Sequence, residues 1–330
     1  MQGGGMHAIQ LHAFGAAENL RYETVDDPMP GPGQVRIAVA AAGVHFVDTS
    51  IRSGEPGPFP LPELPTVPGR EVAGTVDRVG PGVDEKWLGT AVVAHLGPVP
   101  GGYAELAVTG TGQLHAIPDT LDPAAAVAMI GTGRTTFGIV QFATLRPGDL
   151  AIVTAAAGGI GTLLVQHLKN SGLTVIGLAG GAAKTDVVTA NGADLALDYR
   201  QPGWADTIRR RFGERPAALL FDGVGGETAR TAIDLLGKGG TRLVYGWSGG
   251  GPVHLDENYL AERALIDENV LGPKMTERAG GIRNLETAAL EAAAAGQLRP
   301  AIQRFPLAEA AAAHRALESR ETVGKVVLIP

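Results

Sequence analysis

The chain has no cysteine among its 330 residues. No disulfide can form, and no thiolate can serve as nucleophile or metal ligand. There is no run of about 18 apolar residues, so no membrane span is expected. Met1–Leu20 lacks a basic stretch followed by an apolar one. No secretory signal is read there, and a cytoplasmic location is expected. Met1–Gly5 reads as a flexible leader. Basic charge is in deficit: 27 Lys plus Arg against 34 Asp plus Glu leaves −7. Such a chain repels phosphate backbones, which argues against nucleic-acid binding. The one arginine run, Arg209–Arg211, reads as a solvated helix end. The eight histidines show no metal-binding spacing. Gly131–Thr136 lacks the lysine of a phosphate-binding loop. No internal repeat recurs at a fixed period.

What is present is globular composition, 45% hydrophobic and 18% charged, in a chain long enough for two domains. The first third is rich in Val, Gly and Pro. Its short apolar runs, Val35–Ala40, Val72–Val79 and Thr90–Ala94, are set apart by turn signals such as Pro30-Gly31-Pro32-Gly33 and Pro81-Gly82. That pattern predicts an all-β unit. At Asp122-Pro123 the character changes, with an N-cap and a first-turn proline opening a helix. From about residue 150 strands alternate with helices. The strands are Leu150–Thr154, Thr174–Leu178, Ala217–Phe221 and Thr241–Tyr245; the helices lie near 160–171, 182–191, 204–212 and 226–236. Alternation of this kind predicts a parallel sheet covered on both faces. Near the end come an alanine-rich helix, Leu285–Ala295, a strand Ala301–Phe305, a helix Ala308–Ser319 and a strand Lys325–Ile329. These last strands are expected to pair back onto the first domain.

The clearest chemical signal is Thr154-Ala155-Ala156-Ala157-Gly158-Gly159-Ile160-Gly161, between an apolar strand and a helix with Ile160, Leu163, Leu164 and Leu168 on one face. Gly158 and Gly161 match the second and third glycines of the dinucleotide fingerprint, and Ala156 stands for the first. The helix start would offer N–H groups and positive dipole to a pyrophosphate. His167, on the apolar face, reads as a packed histidine. The next strand ends Leu178-Ala179-Gly180-Gly181, without the carboxylate that binds a ribose 2′-hydroxyl in NAD sites. Lys184 follows, and Tyr199 and Arg200 lie after the next strand. A lysine there neutralises a 2′-phosphate, so NADPH is the expected cofactor. Gly246-Trp247-Ser248-Gly249-Gly250 matches the G-x-S-x-G pattern, but Gly251-Pro252 follows where a hydrolase elbow needs a helix.

Several segments in order resemble the quinone oxidoreductases, the zeta-crystallin-like, zinc-free branch of the medium-chain dehydrogenase/reductase superfamily. They are Ala41–Gly54, Pro68–Gly74, Gly101–Glu105, Ala155–Gly161, Asp222–Gly226 and Gly324–Val327. The resemblance runs from Met6 to Pro330. It implies an α/β protein with a GroES-like β domain, residues 1–122 and 272–330, and a Rossmann doubly wound parallel sheet, residues 123–271. The active site is expected in the cleft, and the assembly as a homodimer or homotetramer. The family's zinc enzymes hold zinc through a cysteine near His45, a histidine where Arg70 stands and a further cysteine. Here His45 and Glu71 alone could be ligands, so no metal is expected.

Carried over, the cofactor would touch His45, Thr135, Ala157, Gly158, Gly159, Ile160 and Gly161. Gly180, Lys184 and Tyr199 would surround the 2′-phosphate. Val224, Tyr245, Gly246, Trp247, Ser248 and Arg320 would complete the site. The family often has asparagine at His45, tyrosine at Ser50 and an apolar residue at Arg134, which implies a changed acceptor pocket. The implied activity is metal-free hydride transfer from NADPH to a quinone or other small conjugated carbonyl. His45 or Ser50 would donate a proton or hydrogen bond to the product oxygen. Two alternatives accompany it. One is an enone or enoyl-thioester reductase with Arg52, Arg70 and Arg134 as its basic rim. The other is a non-catalytic NADPH-binding or RNA-binding crystallin-like protein.

Overall fold

The computed structural model describes residues 5–55, 60–97 and 101–330. Of the expected leader only Gly5 falls among them, and it opens a strand. The chain divides into two compact units: Met1–Thr132 with Ala289–Ala294 and Pro300–Pro330, and Gly133–Ala288 with Ala295–Arg299. The expected changeovers, 122/123 and 271/272, differ from these bounds for a packing reason. The helix after Asp122 packs on strands of the first unit, and the helix at Pro273 packs on a helix of the second.

The first unit begins with an antiparallel ribbon, β1 (Gly5–Leu11) and β2 (Leu20–Asp26). Then come β3 (Gln34–Val44), α1 (Phe46–Ser53), β4 (Glu71–Val79), β5 (Ala91–His95), β6 (Leu106–Gly110), β7 (Leu114–Ala116) and α2 (Pro123–Ala128). Asp122 caps α2, its carboxylate accepting the Ala125 N–H at 2.9 Å. A π-helical turn, Met129–Gly133, leads out of the unit.

The second unit contains α3 (Arg134–Val140), β8 (Leu150–Val153), α4 (Gly159–Asn170), β9 (Thr174–Ala179), α5 (Ala182–Ala190), β10 (Leu195–Asp198) and α6 (Trp204–Phe212). It continues with β11 (Ala217–Asp222), α7 (Gly226–Ile233), β12 (Leu236–Val244), α8 (Glu257–Arg263), β13 (Ile266–Asn269), α9 (Pro273–Arg278) and α10 (Ile282–Ala294). Its sheet is parallel throughout, in the order β10-β9-β8-β11-β12-β13. Strands buried on both faces read as unbroken apolar runs, and β8 is buried along its whole length. The strand order reverses between β8 and β11, the point where open α/β sheets bind ligands at their carboxyl edge.

The chain then returns to the first unit with β14 (Ile302–Pro306), α11 (Ala310–Glu318) and β15 (Lys325–Ile329). β15 lies between β14 and β3 in a sheet ordered β14-β15-β3-β4-β5-β7. β3 holds β4 along one edge; along the other it holds β6 at residues 34–38 and β15 at residues 42–44. Register shifts near Arg36 and Val39 bend β3 enough to serve all three. The core beneath includes Ile9, Ile37, Val76, Leu114 and Leu328.

Candidate active site

In the second unit, β8 runs into the turn Thr154–Gly158. Ala155 sits there at φ 48°, a left-handed conformation that usually falls to glycine. Thr154 holds the turn from below. Its Oγ1 accepts from the Gly223 N–H at 2.8 Å, and the Tyr245 hydroxyl donates to its carbonyl at 3.1 Å. A Cβ on Gly161 would collide with the Ala155 carbonyl, so glycine lets α4 pack against the turn. At Gly158 a Cβ would meet only Ala155 O, at 3.3 Å, which leaves that backbone approachable. The first bond of α4 runs from Thr162 N–H to Gly158 O at 2.9 Å. The N–H groups of residues 159–161 stand ahead of it at the positive end of a 12-residue helix.

The other expected contacts of this unit follow the carboxyl ends of neighbouring strands: Gly180 after β9, Tyr199 after β10, Val224 after β11 and Tyr245–Ser248 after β12. Thr135 is half-buried on α3, and Lys184 is in the first turn of α5. A Cβ on Gly180 would stand 3.1 Å from the Tyr199 hydroxyl, and one on Gly181 would meet the Arg200 guanidinium. Arg200 Nε donates to Asp198 Oδ1 at 3.1 Å, and this bond holds the Asp198 carboxyl down to about 2. Asp198, at the end of β10, is an acid the sequence reading passed over. Arg200 neutralises it.

The loop after β11 is pinned by Asp222, which is fully buried. Its carboxylate accepts from the N–H groups of Val224 and Gly225 at 3.1 and 3.0 Å, and from Arg242 at 3.0 and 2.8 Å. Tyr245 is buried with its hydroxyl spent on Thr154, so it underpins the turn instead of offering that hydroxyl to a ligand. Ser248 Oγ donates to Gly223 O at 3.1 Å, and the next helix begins only at Glu257, so the G-x-S-x-G match is no hydrolase elbow. His167 packs edge-on against Phe137, and burial lowers its pKa.

In the first unit, His45 immediately precedes α1, and its N–H donates to Asp48 Oδ2 at 2.8 Å. Its Nε2 lies 2.6 Å from Glu71 Oε1 and 3.0 Å from Lys325 Nζ, while Lys325 donates to Glu71 Oε2 at 2.9 Å. Ser50 is half-buried on α1. Arg320, also in this unit, is exposed just past α11 at φ 57°. Sequence reasoning did not find Lys325, which is 254 residues from Glu71. The signal available to it was a lysine in an otherwise apolar final strand. The three arginines proposed as a basic rim each face an acid. Arg52 pairs with Glu318, Arg70 lies 3.5 Å from Asp48, and Arg134 donates to Glu286 at 2.8 Å.

A GroES-like β unit with a doubly wound sheet carrying this glycine turn defines a medium-chain dehydrogenase/reductase. Residues 31–119 match the alcohol dehydrogenase GroES-like domain family, and residues 191–328 match the zinc-binding dehydrogenase family. A 2-haloacrylate reductase from a Burkholderia species is 32% identical, with 98% of each chain covered. A quinone oxidoreductase from Pseudomonas aeruginosa is 33% identical over 98% of this chain and 99% of its own. The crystal structure of the Escherichia coli quinone oxidoreductase complexed with NADPH is 27% identical. It superposes with a TM-score of 0.85 over 98% of this chain and 100% of that one. The chain belongs to the quinone oxidoreductase branch of the medium-chain dehydrogenase/reductase superfamily, and is an oxidoreductase.

Proposed function

We propose that this chain uses NADPH to reduce a quinone or another small conjugated carbonyl acceptor, without a metal. The observation that carries the cofactor reading is the carboxyl edge of the second unit's sheet. The free N–H groups of residues 159–161 suit a pyrophosphate, and Tyr199 and Lys184 suit a 2′-phosphate. The relative from Escherichia coli was solved with NADPH. Bound NADPH supplies the hydride, and the protein's share is to hold donor and acceptor in reach. Against zinc stands the Lys325 ammonium, within 3.0 Å of both His45 Nε2 and the Glu71 carboxylate, where a second cation would be repelled. Among the described residues no group of three or more His, Cys, Asp or Glu side chains could hold a metal ion.

His45 is the proposed proton donor to the oxygen of the reduced acceptor. A small acceptor is favoured over a thioester carrier because Arg52, Arg70 and Arg134 are already committed to acids. In solution we expect a homodimer or homotetramer, which sedimentation velocity would read.

The test is NADPH oxidation with a chelator present, against quinones, enones, aldehydes and a 2-haloacrylate, repeated with NADH. Turnover of a quinone or enone with NADPH supports the proposal. Tight NADPH binding with no turnover on any acceptor overturns it in favour of a non-catalytic role. Loss of activity on adding chelator overturns the metal-free reading.

A further inference from the structure

The carboxyl edge of the second unit's sheet carries an ion pair that the cofactor reading leaves unused. The β9–β10 register sets Ala179 opposite Asp198, the last residue of β10. β9 runs on into Gly180 and Gly181, and β10 into Tyr199 and Arg200. The Tyr199 N–H donates to Ala179 O at 3.1 Å, which keeps the two loops side by side. The glycines let them pack. A Cβ on Gly180 would stand 3.1 Å from the Tyr199 hydroxyl, and one on Gly181 would stand 2.4 Å from Arg200 Nη2. Tyr199 and Arg200 therefore lie over the end of the unit's second strand, where NAD sites carry an acid.

Asp198 decides how Arg200 stands there. Arg200 Nε donates to Asp198 Oδ1 at 3.1 Å and Nη2 donates to Oδ2 at 3.3 Å, a two-pronged pairing. The Arg200 N–H donates to Oδ1 at 3.0 Å, and the Gly181 N–H donates to the same carboxylate. The Arg200 side chain is 61% exposed and that of Asp198 14%. An ion pair this open to solvent adds little to stability. Its larger effect is on an incoming anion, which meets a guanidinium with a carboxylate on it, so that attraction and repulsion largely cancel. Asp198 also closes a turn by accepting the N–H two residues on, and an asparagine would do the same. The charge is thus separable from the turn.

We propose that Asp198 is a specificity-determining residue: it holds Arg200 back from the 2′-phosphate, cancels its charge there, and so limits the preference for NADPH over NADH. This rests on the reading of this edge as the 2′-phosphate site.

The test is calorimetric titration of the full chain with NADPH and with NADH, at low and at moderate salt. D198N keeps an oxygen for the N–H donors and removes the charge. It should bind NADPH roughly three- to tenfold more tightly than the wild type, bind NADH as the wild type does, and lose most of the gain as salt is raised. R200M leaves the carboxylate bare, and should weaken NADPH binding by a similar factor with NADH unchanged. D198N/R200M should return to the wild-type value for NADPH. Unchanged or weaker NADPH binding by D198N overturns the proposal. So does a double variant as weak as R200M, because Arg200 would then be gripping the phosphate itself. Should D198N not fold, Asp198→Ser takes its place, since a hydroxyl also accepts at this turn. Equal weakening of both cofactors by K184E would instead remove the 2′-phosphate reading, and this proposal with it.

Discussion

At the scale of single residues, charge placement carries most of the functional argument. Lys184 stands in the first turn of α5, which follows Gly180 and Gly181, the glycines packed against Tyr199 and Arg200. Lys184→Glu should weaken NADPH binding at least tenfold more than NADH binding, as titration calorimetry with both cofactors would show. Equal weakening would remove the 2′-phosphate role. His314 offers a second residue-scale prediction. It is fully buried, its Nε2 lies 3.2 Å from the Tyr103 hydroxyl, and burial pushes its pKa down to about 4. Because the Tyr103 hydroxyl donates to Asp48 Oδ2, its oxygen accepts Nε2–H, which leaves Nδ1 unprotonated. In the unfolded chain this histidine protonates near pH 6.5. The unfolded state therefore binds the extra proton first as pH falls, and stability is lost between about 6.5 and 4. That loss is on the order of 3 kcal/mol for a shift of this size. Thermal melts across this range should fall more steeply for the wild type than for His314→Gln, and parallel curves would rule the residue out.

At the scale of elements, the turn between β8 and α4 and the loop after β11 form one supported piece. Thr154 bonds to Gly223, Tyr245 bonds to Thr154, and Asp222 gathers Val224, Gly225 and Arg242. Arg242 is 1% exposed, so its pairing with Asp222 is shielded from solvent. Arg242→Met would strand a buried carboxylate, at a cost of about 3–5 kcal/mol. Chemical denaturation should show that loss, and Asp222→Asn added to it should recover part, since the amide removes the charge and can still accept from the loop N–H groups. If Arg242→Met unfolds at the wild-type midpoint, the pair does not support the loop.

At the scale of the molecule, the first unit depends on the last residues of the chain. β15 sits between β14 and β3, and Val326, Val327 and Leu328 are buried. Ending the chain before Lys325 would open the edge of β3 at residues 42–44 and remove the ammonium beside Glu71. Such a truncation should aggregate or expose its core, seen as dye binding and loss of a cooperative melt. A cooperative, wild-type-like melt would show that β15 is dispensable.

How much of this was legible in the residues follows from the range of the forces involved. The glycine turn, the α2 cap at Asp122 and most strands and helices of the parallel sheet could be read directly, because periodicity, caps and tight turns act over a few neighbours. The short outer strand β13 could not: four residues, half-buried or exposed, give almost no pattern. The sequence by itself determined a two-part α/β chain with a dinucleotide turn and no thiol chemistry. Only the tertiary structure decided that Asp198 is neutralised by Arg200, that the three candidate rim arginines are paired, and that His45 rests on Glu71 and Lys325. Those outcomes depend on strand register and on contacts between residues far apart in the chain, which no local pattern encodes.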